Sequence, residues 1–190
     1  MSLKLFRSTG YSSILAPGES RVATHPGWLV LATSLWIGFA CNVALWRELR
    51  SLGSGGIGIG RALLAGAFIA AACASLLSLL GWRRTLKRTA TALLLLAALA
   101  AASIWVQGRA LDTDLFGQGL RSLLVPGWPG MLRWQFPALF VGVGLVPMLW
   151  VWQLQVRRLP GPKQMASNAT GMLLGLLVMA VTGWLLFGRG

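Results

Sequence analysis

The sequence predicts an all-α membrane protein that crosses the bilayer about five times. Of its 190 residues, 56% are hydrophobic and only 11% are charged, whereas a soluble domain carries roughly 25% charged residues. The mean hydropathy is +0.69, and a chain of this length could not bury so much apolar surface away from water. The apolar residues also form long continuous runs, which favours helices over the alternating strands of a membrane barrel.

Five apolar runs approach the roughly 20 residues that a helix needs to cross a hydrocarbon core of about 30 Å. In chain order they are Gly27 to Trp46, Ala62 to Trp82, Thr89 to Val106, Phe136 to Leu154 and Gly171 to Phe187. The first run has no small-residue cleavage site before polar sequence, so it is predicted to be an uncleaved signal anchor. Residues 1–26 then form a cytoplasmic tail, and residues 27–190 form the membrane domain.

The distribution of charge predicts the orientation in the membrane. Lysine and arginine total 17 against four acidic residues, for a net charge of +13. Most of the basic residues lie in the tail and in the loops 83–88 and 155–168, and positive loops tend to stay in the cytoplasm. We therefore expect a multi-pass protein of the bacterial inner membrane, with a cytoplasmic N-terminus and a periplasmic C-terminus. No nucleic-acid partner is expected, because no basic stripe with interleaved aromatic residues is present.

The segment 107–130 is too polar to cross the membrane and is predicted to lie on the periplasmic side. Asp112 or Thr113 is suited to cap a short helix that would lie at the membrane interface. Two interpretations stay open for this segment: a plain surface helix, or a contact surface for lipid or for a protein partner.

Small residues, prolines and tryptophans indicate how the runs pack. Gly171 and Gly175 form a GxxxG pair, which is typical of close helix packing in membranes. Pro137 and Pro147 are expected to kink the fourth run or to loosen its regularity. Tryptophans at the ends of the runs predict an aromatic belt; they are Trp46, Trp82, Trp105, Trp128, Trp134, Trp150, Trp152 and Trp184.

Residues suited to catalysis or metal binding are scarce. His25 is the only histidine, and it precedes the first run, so neither a metal site nor a serine–histidine pair is expected. Cys41 and Cys73 lie inside apolar runs, where a thiol behaves as a small hydrophobe, and no disulfide between them is expected. The apolar runs place no ionisable residue near the bilayer midplane, which weighs against a small transporter.

Several residues form an ordered pattern that extends over the first four runs. They are Asn42, Leu45 and Trp46 at the end of the first run, Arg83, Leu86 and Lys87 before the third, Gly108, Asp112 and Thr113 after it, and Gly144, Pro147 and Trp150 in the fourth. With the five-run organisation, this pattern resembles the N-terminal membrane domain of the lipid A phosphoethanolamine transferases. In that family five helices anchor a periplasmic, zinc-dependent catalytic domain, which transfers phosphoethanolamine from a phospholipid to lipid A through a threonine nucleophile.

The resemblance implies phosphatidylethanolamine and lipid A as lipid partners, and it implies a substrate loop after the third run. The candidate loop residues are Asp112, Thr113, Gln118 and Ser122. The family has an asparagine, a threonine and a glutamate in this loop, where this chain has Gln118, Ser122 and Pro126, so one charge is absent. The chain stops at Gly190, before any counterpart of the family's zinc ligands and nucleophile. We therefore expect no catalytic residue, metal site or cofactor in these 190 residues.

Two hypotheses of function follow. The first is a non-catalytic anchor or docking domain related to the transferases, with the chemistry supplied by a separate catalytic partner in the periplasm. The alternative is an accessory or scaffold subunit that packs against a larger inner-membrane complex.

Overall fold

A computed structural model describes residues 24–50, 57–82, 85–107, 132–156 and 159–188, and most of these residues are helical. The helices are α1 (Pro26–Leu35, continued by a first π segment, Trp36–Ala40), α2 (Val43–Arg50), α3 (Ile57–Leu80), α4 (Leu86–Gln107), α5 (Gln135–Leu139, continued by a second π segment, Phe140–Leu145), α6 (Val146–Gln153) and α7 (Gly161–Phe187). Within the described ranges the only extended pairing is an isolated bridge between Thr24 and Val156. The all-α prediction is therefore confirmed.

Four helical stretches of the described chain are long and apolar enough to cross a membrane. They are Gly58–Leu80, Leu86–Val106, Gln135–Gln153 and Gly161–Phe187, and Pro26–Ala40 is a shorter apolar helix. Successive stretches run in opposite directions, so their termini meet at two ends of the bundle. We call the end where α1 begins the amino-terminal end. It carries Thr24, Trp82 and Gln155, and there the Thr24 N–H donates to the Gln155 carbonyl at 2.8 Å. The opposite end carries Asn42 and the end of α4 at Gln107.

The first apolar run is divided, where the sequence predicted one helix from Gly27 to Trp46. Its ten α-helical and five π-helical residues end at Ala40, after a rise of only about 22 Å. The cause is Asn42, whose Oδ1 accepts from the Leu45 N–H at 3.1 Å while its Nδ2 donates to the Ala62 carbonyl at 3.1 Å. Asparagine favours such capping bonds over a place in a helix interior, so a second helix, α2, begins after it.

Helix α7 begins ten residues before the predicted start at Gly171. Pro160 and Pro162 flank its first residue, Gly161, and proline is favoured at a helix start. Hydropathy misses the first turns because they are polar, although Gln164 Nε2 donates to Asn168 Oδ1 at 3.1 Å, one turn further along the helix.

The predicted close packing at the GxxxG pair is confirmed. Helices α3 and α7 share the most extensive contact in the bundle. A Cβ on Gly175 would lie 3.0 Å from the Ala71 carbonyl and closer still to Ser75 Oγ, and a Cβ on Gly171 would lie 2.6 Å from Ser78 Oγ. The glycines therefore allow the two helix backbones to approach.

Irregularity in the fourth run is confirmed as well, because the second π segment lies between Pro137 and Pro147. Proline has no backbone N–H, so it interrupts the α-helical hydrogen-bond ladder. At this segment Gly144 packs closely on α4, where an added Cβ would lie 2.7 Å from Ala98 Cβ.

The core lies at the centre of the bundle, and the outward faces are apolar. A cluster of buried residues joins α1, α3, α4 and α6: Leu29, Ile37, Leu77, Leu86, Ala90, Leu94 and Val151. Large apolar side chains are exposed on the outside, among them Leu173 and Leu177 of α7. Such a surface suits hydrocarbon rather than water as its surroundings.

Part of the predicted tryptophan belt lies within the described residues. Trp46, Trp134 and Trp184 are exposed near the opposite end, and Trp82 and Trp152 near the amino-terminal end. The indole N–H of Trp46 donates to the Ala40 carbonyl at 3.1 Å, and that of Trp152 to Thr91 Oγ1 at 3.1 Å. The rings thus face outward while their N–H groups are satisfied, as interfacial tryptophans require.

Candidate functional site: two crevices beside the first helix

Helix α1 lies between the other helices and presents a buried face to them. Thr33 and Ser34, near its middle, are only 2% and 1% exposed. A crevice lies on each side of the helix, one toward α3 and α7 and the other toward α4 and α6.

The first, here the α3/α7 crevice, has a volume of about 440 Å³, within the range of roughly 300–1,000 Å³ that is usual for small-molecule sites. Its floor is formed by alanines of α3. Its walls are apolar side chains of α1 and α7, such as Leu31, Leu35, Leu174 and Val178.

Small residues on α3 explain why this crevice forms. Gly66 lets the end of α1 approach α3, since an added Cβ there would lie 2.7 Å from the Gly38 carbonyl. On its other side α3 is approached by α7 at Gly171 and Gly175. Two helices are thus held against one neighbour, and the short side chains between them leave space that larger residues would fill.

The second, the α4/α6 crevice, has a volume of about 340 Å³. It is lined by Ala32, Thr33, Trp36, Leu94, Val146, Pro147, Trp150 and Val151. At its side the indole N–H of Trp36 donates to the Val143 carbonyl at 2.9 Å. In a regular α-helix the N–H of residue 147 would donate to this carbonyl, but Pro147 has no N–H.

Each crevice includes a buried hydroxyl group that has no hydrogen-bond partner among the described residues. Ser34 lines the α3/α7 crevice and Thr33 lines the α4/α6 crevice, and in the part of the chain that the structure describes nothing bonds to Ser34 Oγ or to Thr33 Oγ1. Several other hydroxyls of the bundle bond to their own helix; Ser75 Oγ, for example, donates to the Ala71 carbonyl at 2.9 Å. A buried hydroxyl without a partner is costly, so these two are candidate contacts for a bound group.

Polar groups are concentrated at the amino-terminal end of the α3/α7 crevice. Ser78, Ser167 and Asn168 line this end, and Asn168 Nδ2 donates to the Gly81 carbonyl at 3.2 Å. The described residues that line the two crevices include no acidic or basic side chain. The crevices are therefore suited to an apolar group with a weakly polar end rather than to acid–base chemistry.

Basic side chains secure both ends of the bundle. At the amino-terminal end, Lys87 Nζ donates to the carbonyls of Leu154 at 2.5 Å and of Trp152 at 3.2 Å. At the opposite end, an Arg47 guanidinium N–H donates to the Ile104 carbonyl at 2.9 Å. Both cations lie at helix C-termini, where a positive charge interacts favourably with the helix dipole.

The substrate-loop candidates Asp112, Thr113, Gln118 and Ser122 lie outside the described residues, as does the predicted interfacial helix. The structure does place the two attachments of that loop, since α4 ends at Gln107 and α5 begins at Gln135, both at the opposite end of the bundle. The cysteines Cys41 and Cys73 are free in this structure. Within the described ranges, no group of three or more metal-ligating side chains comes together.

Sequence reasoning missed the crevices and their hydroxyls. The only local signal is the adjacent pair Thr33 and Ser34 within an otherwise apolar run. Such a pair usually bonds to its own helix, and only the packing around α1 shows that it does not do so here.

A known protein family matches most of the membrane bundle. A family model described as phosphoethanolamine transferase EptA/EptB matches residues 69–189, from the middle of α3 to just beyond α7. Searches of curated proteins and of solved structures return no match. The match covers more than half of the chain and corresponds to the N-terminal membrane domain of these enzymes. The chain therefore belongs to the EptA/EptB phosphoethanolamine transferase family, through that membrane domain.

Proposed function

We propose that these 190 residues form a membrane anchor and docking domain for phosphoethanolamine transfer to lipid A, and that the domain is not catalytic by itself. The observation that carries this proposal is the combination of the family match with a helical bundle in which none of the described residues that line the crevices is ionisable. Transfer of a phosphoryl group depends on positioned charges or metal ions. We expect those to come from a periplasmic catalytic domain, either in the same polypeptide or as a separate chain.

The proposed location is the bacterial inner membrane, with the N-terminus in the cytoplasm and the C-terminus in the periplasm. The loops 83–88 and 155–168 are rich in lysine and arginine, and the helix order brings both to the amino-terminal end of the bundle. The positive-inside rule then favours the cytoplasm for that end. The end of α7 would lie on the side where the lipid A substrate is modified.

The proposed docking surface is the opposite end of the bundle, with the segment 107–130 as its substrate loop. Asp112, Thr113, Gln118 and Ser122 are the candidates for contact with the headgroups of phosphatidylethanolamine or lipid A, or with a protein partner. Arg47 supports the site indirectly, because its bond to the Ile104 carbonyl holds α2 against the last turns of α4, from which this loop departs.

The test of this proposal is lipid A mass spectrometry in a strain without other phosphoethanolamine transferases. The chain alone is expected to leave lipid A unmodified. Co-expression with a family catalytic domain is expected to restore modification that the soluble catalytic domain alone does not achieve. The matched control is a single-span anchor fused to the same catalytic domain, which separates docking from simple attachment to the membrane.

Two outcomes would overturn parts of the proposal. Modified lipid A from the chain alone would disprove the non-catalytic role, and equal activity from the single-span anchor would disprove specific docking.

Reporters fused at Thr24 and after Phe187 test the orientation and are expected to give opposite readings. Recovery of a transport or respiratory complex with the tagged protein from gently solubilised membranes would instead favour an accessory subunit.

A further inference from the structure

The α3/α7 crevice has the features of a lipid site that is separate from the proposed substrate loop. We propose that it binds one acyl ester chain of a phospholipid from the leaflet at the amino-terminal end of the bundle. The site would retain a lipid whether or not the domain docks a transferase, because it lies among α1, α3 and α7 rather than at the loop between α4 and α5.

The length of the crevice fits one leaflet. From Ala67 to the end of α3 at Leu80 its floor rises about 20 Å, at about 1.5 Å per residue. One leaflet with its headgroups is also about 20 Å thick, half of a whole bilayer of roughly 40–45 Å. The crevice is therefore long enough for one lipid chain.

The polarity of the lining follows that of a phospholipid. Ser78, Ser167 and Asn168 line the amino-terminal end, whereas Phe39 and Val178 line the far end. A phospholipid with its headgroup at the amino-terminal end, its ester at the depth of Ser34 and its chain directed toward Phe39 matches this gradient. The apolar side chain of a neighbouring helix would match the far end only.

The buried hydroxyl of Ser34 indicates a ligand with a hydrogen-bond acceptor. Ser34 is 1% exposed and lines the crevice, and its Oγ finds no partner within the described ranges. An ester carbonyl on an otherwise apolar chain can accept a hydrogen bond from this hydroxyl, which removes the cost of burying it alone. A simple hydrocarbon cannot do so.

The charge at the amino-terminal end suits a phosphate headgroup. Arg88 and Lys163 are exposed near this end, and none of the described residues around it is acidic. Cations attract anionic lipid headgroups near the membrane surface. The crevice and its surroundings thus match a phospholipid at three levels: its apolar chain, its ester and its phosphate.

The experiment is photolabelling of the purified protein in nanodiscs that contain phosphatidylglycerol with a diazirine in one acyl chain. Mass spectrometry is expected to locate the label on residues 30–39 of α1 and 174–178 of α7, in excess over the outward faces. Ala74→Leu fills the crevice and is expected to reduce this labelling about tenfold, the change that accompanies the loss of about 1.4 kcal/mol of binding free energy. Ala92→Leu, the same substitution on an exposed position of α4, is the matched control and is expected to change nothing.

A second variant tests the ester contact without changing the shape of the crevice. Ser34→Ala is expected to lower labelling about twofold to tenfold, the effect of one lost hydrogen bond, while the thermal stability of the delipidated protein in detergent stays equal or rises. Uniform labelling of the outward faces, or unchanged labelling in both Ala74→Leu and Ser34→Ala, would overturn the proposal. Crosslinks between two copies of the chain through α7, in place of lipid adducts, would also overturn it. If Ala74→Leu does not fold, the result for Ser34→Ala decides alone.

Discussion

Trp36 and Val143 join the first and fourth apolar runs through one hydrogen bond, in which the indole N–H donates to the backbone carbonyl at 2.9 Å. Both residues lie in π segments. Pro147 stands four residues after Val143, so the carbonyl receives no α-helical bond from that position. The tryptophan therefore compensates for a defect that a proline creates in another helix. In lipid such compensation is required, because no water is present to satisfy the carbonyl.

Trp36→Phe is expected to destabilise the bundle by about 1–2 kcal/mol, because it removes the indole donor from a carbonyl that Pro147 cannot serve. Thermal unfolding in detergent measures the effect. Trp28→Phe is the control, since Trp28 is 64% exposed and is expected to lower the melting temperature less. The sharper test is a double-mutant cycle with Pro147→Ala, which restores an N–H four residues after Val143. An equal cost of Trp36→Phe in both backgrounds would contradict this account.

Gly175→Val is expected to separate α3 from α7. The new Cβ would lie 3.0 Å from the Ala71 carbonyl and would overlap Ser75 Oγ, and overpacking of this kind costs about 1–3 kcal/mol. Gly142→Val is the matched control, because no atom lies within 4 Å of a Cβ at Gly142. Comparable losses of folded protein on size-exclusion chromatography for the two variants would show that the glycines do not act through helix contact.

Asn42→Ala is expected to cost about 1–3 kcal/mol, since it removes two buried hydrogen bonds: the one that Asn42 Oδ1 accepts from the Leu45 N–H, and the one that Asn42 Nδ2 donates to the Ala62 carbonyl. Asn42→Ser separates the two contributions. Serine can still cap α2 but is too short to reach α3 in the same way, so an intermediate stability is expected. If alanine and serine are equally tolerated, the end of α1 is not fixed by this side chain.

Lys87→Met is expected to loosen the amino-terminal end, because Lys87 donates to the carbonyls of Trp152 and Leu154 at the end of α6. Hydrogen bonds from a charged group contribute about 1.5–3 kcal/mol each before solvent screening, and partial exposure of Lys87 reduces this figure. Arg88→Met removes the same charge from an exposed neighbour. It controls for the effect that loss of a positive charge has on orientation in the membrane. Hydrogen exchange at residues 152–156 is expected to accelerate in Lys87→Met only, and equal acceleration in both variants would point to charge alone.

Several features of the fold were predictable because they depend on local chemistry. Three of the predicted runs, within residues 62–82, 89–106 and 136–154, agree with the structure to within a few residues, since hydrocarbon imposes both a length and a composition on a spanning helix. Gly171 and Gly175 indicated close packing, and Pro137 and Pro147 indicated an irregular fourth run. Two boundaries failed: at Asn42, where side-chain hydrogen bonds end a helix inside an apolar run, and at Gly161, where flanking prolines begin a helix in polar sequence.

The candidate site also has one part that the sequence indicated and one part that it did not. The substrate loop was inferred from resemblance, and its residues Asp112, Thr113, Gln118 and Ser122 remain predictions. The crevices beside α1 could not be inferred, because an unpartnered hydroxyl at Ser34 depends on which helices surround it and how closely they approach.

The sequence by itself determined that lipid surrounds this chain, that helices cross it, and that its family is that of a phosphoethanolamine transferase membrane domain. These conclusions need only composition, run length and residue pattern. Only the tertiary structure decided that α1 stops short at Ala40, that Trp36 satisfies Val143, and that two crevices flank the first helix. The physical reason is that close approach of helices, and the hydrogen bonds it creates or leaves unmade, depends on residues that are distant in sequence and meet only in the packed bundle.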